Sequence, residues 1–427
     1  MTQLHIQNGR IIDPKNDIDF KGDLLIEDGK IIGVGKVKPA KDTQVIDASD
    51  KIIAPGLIDL HVHFREPGGE GKETILTGSQ SAVAGGFTGV CLMPNTNPTT
   101  DNRTTVNYVH GKAKEADLCN IYVSGAMTKA REGKELAEMH EMNDAGVIAF
   151  TDDGTGVQSS SMMLKVFKYA SQFDKVLMQH CEDNDITKNG CMNSGYRATV
   201  MGVPGMSGLA EDLMIARDII LVQQTTARYH VQHLSTKEAV DIIRDAKGKG
   251  VSITTEVSPH HLLLNEDHCK GYNTNCKMNP PLRTPADIEG LIKGVKDGTI
   301  DILATDHAPH LASEKDLEFI NAPPGLVGLE CALGLYVKAL VDPGHVTINH
   351  VIKMMTIGQA EILDIERGTL SVGAVADVTI IDDATEWEVD VDKFYSKSRN
   401  CPWGGWQLHT RATHTIVAGV VKFPFAS

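Results

Sequence analysis

In the segment GLIDLHVHFREPG, Gly56 to Gly68, the apolar residues Leu60, Val62 and Phe64 alternate with Asp59, His61, His63 and Arg65. Strand side chains alternate between faces, so His61 and His63 point the same way. Two imidazoles at i and i+2 on one strand can grip a single metal ion. Arg65, two residues further on, can hold an anion beside that metal. One His-x-His is weak evidence by itself. Here it closes an apolar run and is followed by Arg65, Glu66, Pro67 and Gly68.

Apolar runs recur near 56–64, 88–94, 121–126, 146–151, 175–179, 229–234, 251–257 and 300–305, and most of them end in polar groups. The second closes on Met93-Pro94-Asn95-Thr96-Asn97-Pro98 and the fourth on Thr151-Asp152-Asp153-Gly154. The fifth ends Gln179-His180-Cys181-Glu182-Asp183, the sixth Gln232-His233-Leu234-Ser235. The eighth ends Ala304-Thr305-Asp306-His307-Ala308-Pro309-His310. Taken singly, each group reads as an ordinary loop polar. Together, four histidines and two aspartates converging at strand ends fit a zinc-type site with nitrogen and oxygen ligands. His260 and His261 lack a paired carboxylate and read as supporting residues. His307 reads as lying outside the ligand set, and His110, His140 and His345 as surface residues. Met162 and Met163 read as core.

Eight strand candidates alternating with helical segments imply a parallel sheet, and units of this length suit a (β/α)8 barrel, whose catalytic groups gather at the C-terminal strand ends. A doubly wound open sheet is the alternative, but no Gly-x-Gly-x-x-Gly follows the first strand. One helix is marked by a capping box, Ser235 with Glu238, and by the face Ala239, Val240, Ile242, Ile243 and Ala246. Both chain ends are β-rich. Asn8-Gly9 and Asp28-Gly29 are hairpin signals, with Leu24, Ile26, Ile31, Ile32 and Val34 as the apolar side. Gly373–Asp382 and Thr415–Phe423 look alike. The expected division is a small β-sandwich domain from 1–54 and 366–427 around a catalytic barrel, 55–365. Two unrelated β extensions are the other arrangement.

The chain has 427 residues and a formal net charge of −15, which opposes nonspecific binding to nucleic acid or anionic membrane. Its eight cysteines include no Cys-x-x-Cys pair and read as reduced thiols. The first nine residues carry neither the basic start nor the apolar run of a signal peptide. These features suggest a cytoplasmic protein.

On these segments the chain resembles the amidohydrolase superfamily and, within it, the longer bacterial dihydroorotases. DLHVHFREP (Asp59 to Pro67) and ATDHAPHLASEK (Ala304 to Lys315) are similar to the two signatures of that family. MPNTNP (Met93 to Pro98), HCED (His180 to Asp183) and NPPLR (Asn279 to Arg283) are similar to further family segments. The resemblance spans nearly the whole chain. It implies that His61 and His63 hold one metal ion and that His180 and His233 hold a second. Asp306 would touch the first ion and act as catalytic acid–base. Many relatives bridge the metals with a carbamylated lysine on strand four, but Gly146–Asp153 contains no lysine. The resemblance assigns the bridge to Asp153, with Asp152 as the alternative. The implied cofactor is zinc, two ions per chain bridged by Asp153 and hydroxide.

The implied reaction is reversible hydrolysis of L-dihydroorotate to N-carbamoyl-L-aspartate, whose reverse is the third step of pyrimidine (UMP) synthesis. Arg65 would bind the substrate carboxylate through paired, charge-assisted hydrogen bonds, beside His63, with Asn95 and His310 completing the clamp. Asn279 would meet the ring amide. Backbone groups at Pro324 and Gly325 would edge the pocket. The implied partners are a small-molecule substrate, a second copy in a homodimer, and aspartate carbamoyltransferase. The rival readings are another cyclic-amide hydrolase, an allantoinase or dihydropyrimidinase, and an inactive barrel scaffold. The first usually keeps the bridging lysine; the second loses ligands that this chain retains.

Overall fold

The computed structural model describes residues 3–425. Strands Leu57–Val62, Phe87–Leu92, Asn120–Gly125, Ala149–Thr151, Val176–Gln179, Arg228–Val231, Ile253–Val257 and Ile302–Leu303 follow one another in chain order in one parallel sheet. The sheet closes on itself. Val62 and His307 form a parallel bridge, and the His63 N–H donates to the His307 carbonyl at 2.9 Å. Every residue of the first two strands is buried, as parallel strands covered by helices must be. Helices including Ile75–Ala84, Arg103–Ala116, Ser160–Ala170, Leu209–Val222, Lys237–Gly248 and Pro285–Lys296 form the outer layer. The architecture is a (β/α)8 barrel rather than an open doubly wound sheet.

A second, mixed sheet takes strands from both chain ends. Its order is Val420–Phe423, Arg411–Val417, Val378–Asp382, Ile52–Pro55, Gln3–Asp13, Ile18–Glu27 and Lys30–Gly35, with Gln44–Asp47 also pairing Gln3–Asp13. Leu4, Ile6, Ile11, Ile53, Val378 and Ile416 pack together as its core. One small β-sandwich domain, not two separate extensions, therefore accompanies the barrel. The two units meet where Gly56 N–H donates to the Asp377 carbonyl at 2.9 Å.

Several local expectations change. Asp28 and Gly29 both take positive φ, 48° and 78°, and form the predicted hairpin turn. Asn8 also has positive φ, 67°, but Asn8-Gly9 is a bulge inside a continuous strand, with the register shifting between Ile6 and Gly9. Ile32 is 40% exposed while Ile31 is buried, because consecutive strand residues face opposite sides. Helix Lys237–Gly248 buries Ala239, Val240, Ile243 and Ala246, with Ile242 partly buried. Its cap is Thr236, whose Oγ1 accepts from Ala239 N–H at 3.1 Å. Ser235 is drawn away by buried Glu211, which accepts from both its backbone N–H and its hydroxyl. Met162 and Met163 are core residues, all eight cysteines are free thiols, and His110 and His345 are half-buried rather than on the open surface. Among the described residues, no helix is long and apolar enough to cross a membrane.

Thr236 caps its helix and also donates to buried Asp212 Oδ1 at 2.6 Å. Thr236→Ala should therefore lower unfolding stability by about 1–2 kcal/mol, measured as a fall in the urea midpoint. An unchanged midpoint would show that the cap lies elsewhere.

Candidate active site

The strand ends deliver their polar groups to one cavity. It has a volume of 230 Å³ and is lined by His63, Arg65, Asn95, Asp153, Gly154, His180, His233, Asn279, Asp306, Ala308, His310, Pro324 and Gly325. His61 lies beneath it, fully buried. Asp153 stands among four imidazoles. Its Oδ1 is 3.4 Å from His61 Nε2, 3.7 Å from His233 Nε2 and 4.0 Å from His180 Nδ1, and its Oδ2 is 3.6 Å from His63 Nε2. Asp306 Oδ1 lies 3.0 Å from His63 Nε2 and 3.5 Å from His61 Nε2. His180 Nδ1 and His233 Nε2 face each other at 2.9 Å. Asp152 points elsewhere, accepting from the Met127 and Thr128 backbone N–H groups at 2.8 and 3.0 Å. Asp306 and His233 hold positive φ, 51° and 33°. Side chains rarely adopt that region, and it recurs where a site dictates the backbone.

The electrostatics suit a cation. Burial opposes a proton on His61, yet Glu256, Asp153 and Asp306 together raise its pKa well above the usual imidazole value. Burial alone would raise the Asp153 and Asp306 carboxyls. The surrounding histidines, His61 foremost, outweigh it and hold both below the ordinary range. His63 is lowered by burial and by Arg65, which favours the neutral ring that a metal needs. His61, Asp153 and His233 offer one ligand atom each, all within 4.8 Å of one another; so do His61, His63 and Asp306. His61 Nε2 is buried and has no hydrogen-bond partner, while its Nδ1 donates to Glu256 Oε1 at 2.6 Å. A carboxylate on the far nitrogen is what orients a metal-ligating histidine. The donor set therefore fits one or two divalent ions.

A family model described as dihydro-orotase-like matches residues 50–239. The dihydroorotase of Acetivibrio thermocellus is 46% identical over 416 residues, covering 97% of this chain and 98% of that protein. That of Citrifermentans bemidjiense is 46% identical over 421 residues, 98% of this chain and 99% of that one. The chain belongs to the dihydroorotase family. Among solved structures, an L-hydantoinase (dihydropyrimidinase) from Arthrobacter aurescens shares its fold, with a TM-score of 0.89 at 24% identity over 99% of this chain and 96% of that one. A D-hydantoinase (dihydropyrimidinase) from Thermus sp. has a TM-score of 0.86 at 26% identity, over 98% and 94%.

The family's other expected positions are also placed. Arg65 is half-buried; desolvation lowers its guanidinium to about 10, and its Nε donates to the Pro309 carbonyl at 3.2 Å. Asn95 spans the cluster: its Oδ1 accepts from His63 Nδ1 at 2.8 Å and its Nδ2 donates to Asp153 Oδ2 at 3.3 Å. Asn279 Nδ2 donates to Glu182 Oε2 at 2.7 Å. The Gly325 N–H is already committed to the Lys277 carbonyl at 2.9 Å, so it edges the cavity without offering that donor. His307 is turned away, 3.5 Å from Glu73. His261 donates to the Pro280 carbonyl at 3.1 Å, and burial lowers His260 to about 4.

Two acids went unassigned in the sequence. Glu256, on the seventh strand, also accepts from His230 Nε2 at 3.1 Å and from His233 N–H at 3.1 Å. Its only signal is a carboxylate inside the apolar run Ile253–Val257. Glu182 lies in the HCED segment and accepts from His180 Nε2 at 3.0 Å. Glu256→Gln should weaken divalent-metal affinity by about 10- to 100-fold, read by titrating the apo-protein against a competing chelator. Unchanged affinity would remove Glu256 from the support of the metal.

Proposed function

We propose that this cavity catalyses the reversible hydrolysis of L-dihydroorotate to N-carbamoyl-L-aspartate, with ring closure in the biosynthetic direction as a step of pyrimidine synthesis. The observation that carries the reading is one wall holding Arg65 beside the histidine–aspartate cluster, in a chain whose full-length relatives are dihydroorotases. A ring amide and a carboxylate are what that pair of features recognises. The proposed metal ligands are His61 and His63 for one zinc ion, His180 and His233 for a second, with Asp153 between them and Asp306 on the first.

Bound zinc would lower the pKa of a water molecule and polarise the ring carbonyl. The protein supplies the rest. Asp306, kept ionised by its histidine neighbours, accepts the proton of the attacking water and passes it to the departing ring nitrogen. Arg65 pairs with the substrate carboxylate, a role that the planar, two-pronged guanidinium suits. His310 stays neutral beside it. Burial and the nearby cations Arg65, Lys72 and Lys315 lower its ring to about 2, so it offers hydrogen bonds without charge. Asn95 keeps His63 and Asp153 in register, and Asn279 faces the ring amide. Pro324 and Gly325 close the edge.

The same reading makes 55–365 the catalytic barrel and 1–54 with 366–427 its bracing domain. It places the enzyme in the cytoplasm as a homodimer that associates with aspartate carbamoyltransferase. The likeness to hydantoinases leaves another cyclic amide as the second reading, but strand four ends in Asp152 and Asp153 with no lysine. Assays with dihydroorotate, dihydrouracil and allantoin side by side decide between them: dihydroorotate should be turned over fastest, and equal turnover of either other compound would overturn the assignment. Asp306→Asn should cost about 10²–10⁴-fold in both directions while the protein keeps most of its metal. A metal-loaded variant with more than about a tenth of full activity would move the proton-transfer role to another group.

A further inference from the structure

Two loops contribute Ala308 and His310, after strand eight, and Pro324 and Gly325 to the cavity lining. Neither His310 ring nitrogen has a hydrogen-bond partner; the nearest acid, Glu314 Oε2, is 3.4 Å from Nδ1. No side chain grips the ring; its direction follows the loop backbone, with the Pro324 main chain beside it. That backbone is held from the far end of the chain. Asn400, 3% exposed, accepts from the His310 N–H through Oδ1 at 3.1 Å. Its Nδ2 donates to the Ala308 carbonyl at 3.0 Å and to the Gly325 carbonyl at 3.1 Å. Its own carbonyl accepts from Val327 N–H at 2.9 Å. One side-chain amide thus joins both loops, with both of its N–H donors and one oxygen lone pair used.

Lys315 adds a second brace. Its buried ammonium donates to the Pro323 and Gly325 carbonyls, both at 2.9 Å. The loops are pressed together at this point. Gly325 has φ of 129°, and a Cβ there would sit 2.9 Å from the Ala308 Cβ and 3.1 Å from His310 Cδ2. A shift in either loop moves the other.

We propose that Asn400 is a positioning residue for substrate binding, setting His310 and the Pro323–Gly325 loop against the substrate carboxylate. This rests on the reading that the cavity holds dihydroorotate. Asn400 touches no reacting atom, so its loss should act on binding more than on turnover. Asn400→Ala removes three side-chain hydrogen bonds to this edge, and the part of that loss felt by the substrate corresponds to about a tenfold change.

The test is a double-mutant cycle on the zinc-loaded, full-length enzyme: wild type, Asn400→Ala, His310→Ala and the double variant, each with kcat, KM for dihydroorotate and metal content. Asn400→Ala should raise KM about tenfold with kcat and metal nearly unchanged. In the His310→Ala background the same change should raise KM by less than about threefold, because the residue it positions is gone. Asn400→Asp keeps the size and the acceptor but loses both donors; it should reproduce the KM rise and guards against a misfolded alanine variant. Full multiplication of the two effects, or a normal KM in both Asn400 variants while His310→Ala raises it, would overturn the positioning role alone. An unchanged KM in His310→Ala would instead overturn the reading of the cavity, and this inference with it.

Discussion

One buried carboxylate organises the floor of the site. Glu256 accepts from His61, from His230 and from the backbone of His233, so a single charge ties strands one, six and seven together. An uncompensated carboxylate at that depth would be costly. The neighbouring histidines instead lower its pKa to about 2 despite burial. The cluster above it inherits this order: His61 cannot turn without leaving Glu256 unpaired, and the Asp153 and Asp306 oxygens are spaced around His61 Nε2. Asp59 repeats the device lower in the barrel. It accepts from His61 N–H at 3.0 Å and from Thr305 N–H at 3.1 Å, pinning the first strand to the last, and its own burial raises its carboxyl to about 7.

How much of this could be read beforehand depended on chain distance. His61, His63 and Arg65 announce themselves because their spacing is local and the strand period fixes their direction. Asp306 and His310 are equally local. Glu256 is a lone acid in an apolar strand, and its partner His61 lies 195 residues away, so no short pattern exposes it. Asn400 sits still further outside any motif. The choice between Asp153 and Asp152 was open for the same reason: adjacent carboxylates differ only in direction, and the backbone N–H groups that capture Asp152 come from the loop after strand three.

Local signals also lost where tertiary contacts competed. Ser235 and Thr236 are both good caps, and Glu211, from the preceding helix, decided between them. Asn8-Gly9 has the chemistry of a hairpin turn, but its strand is paired along both sides, so the extra residue is absorbed as a bulge. A shared face for Ile31 and Ile32 fails for a different reason. Strand geometry alone forbids it.

The order of the mixed sheet bears on how the molecule comes into being. Ile52–Pro55 lies between the N-terminal strand and Val378–Asp382, and the first barrel strand begins two residues later at Leu57. A chain emerging from the ribosome therefore carries His61 and His63 more than three hundred residues before the strand that flanks their base. At typical elongation rates of about 5–20 residues per second, that interval lasts roughly 15–60 s. During it, Ile52–Pro55 lacks a neighbour in the mixed sheet, so the β-sandwich cannot be completed until Val378–Asp382 has been made.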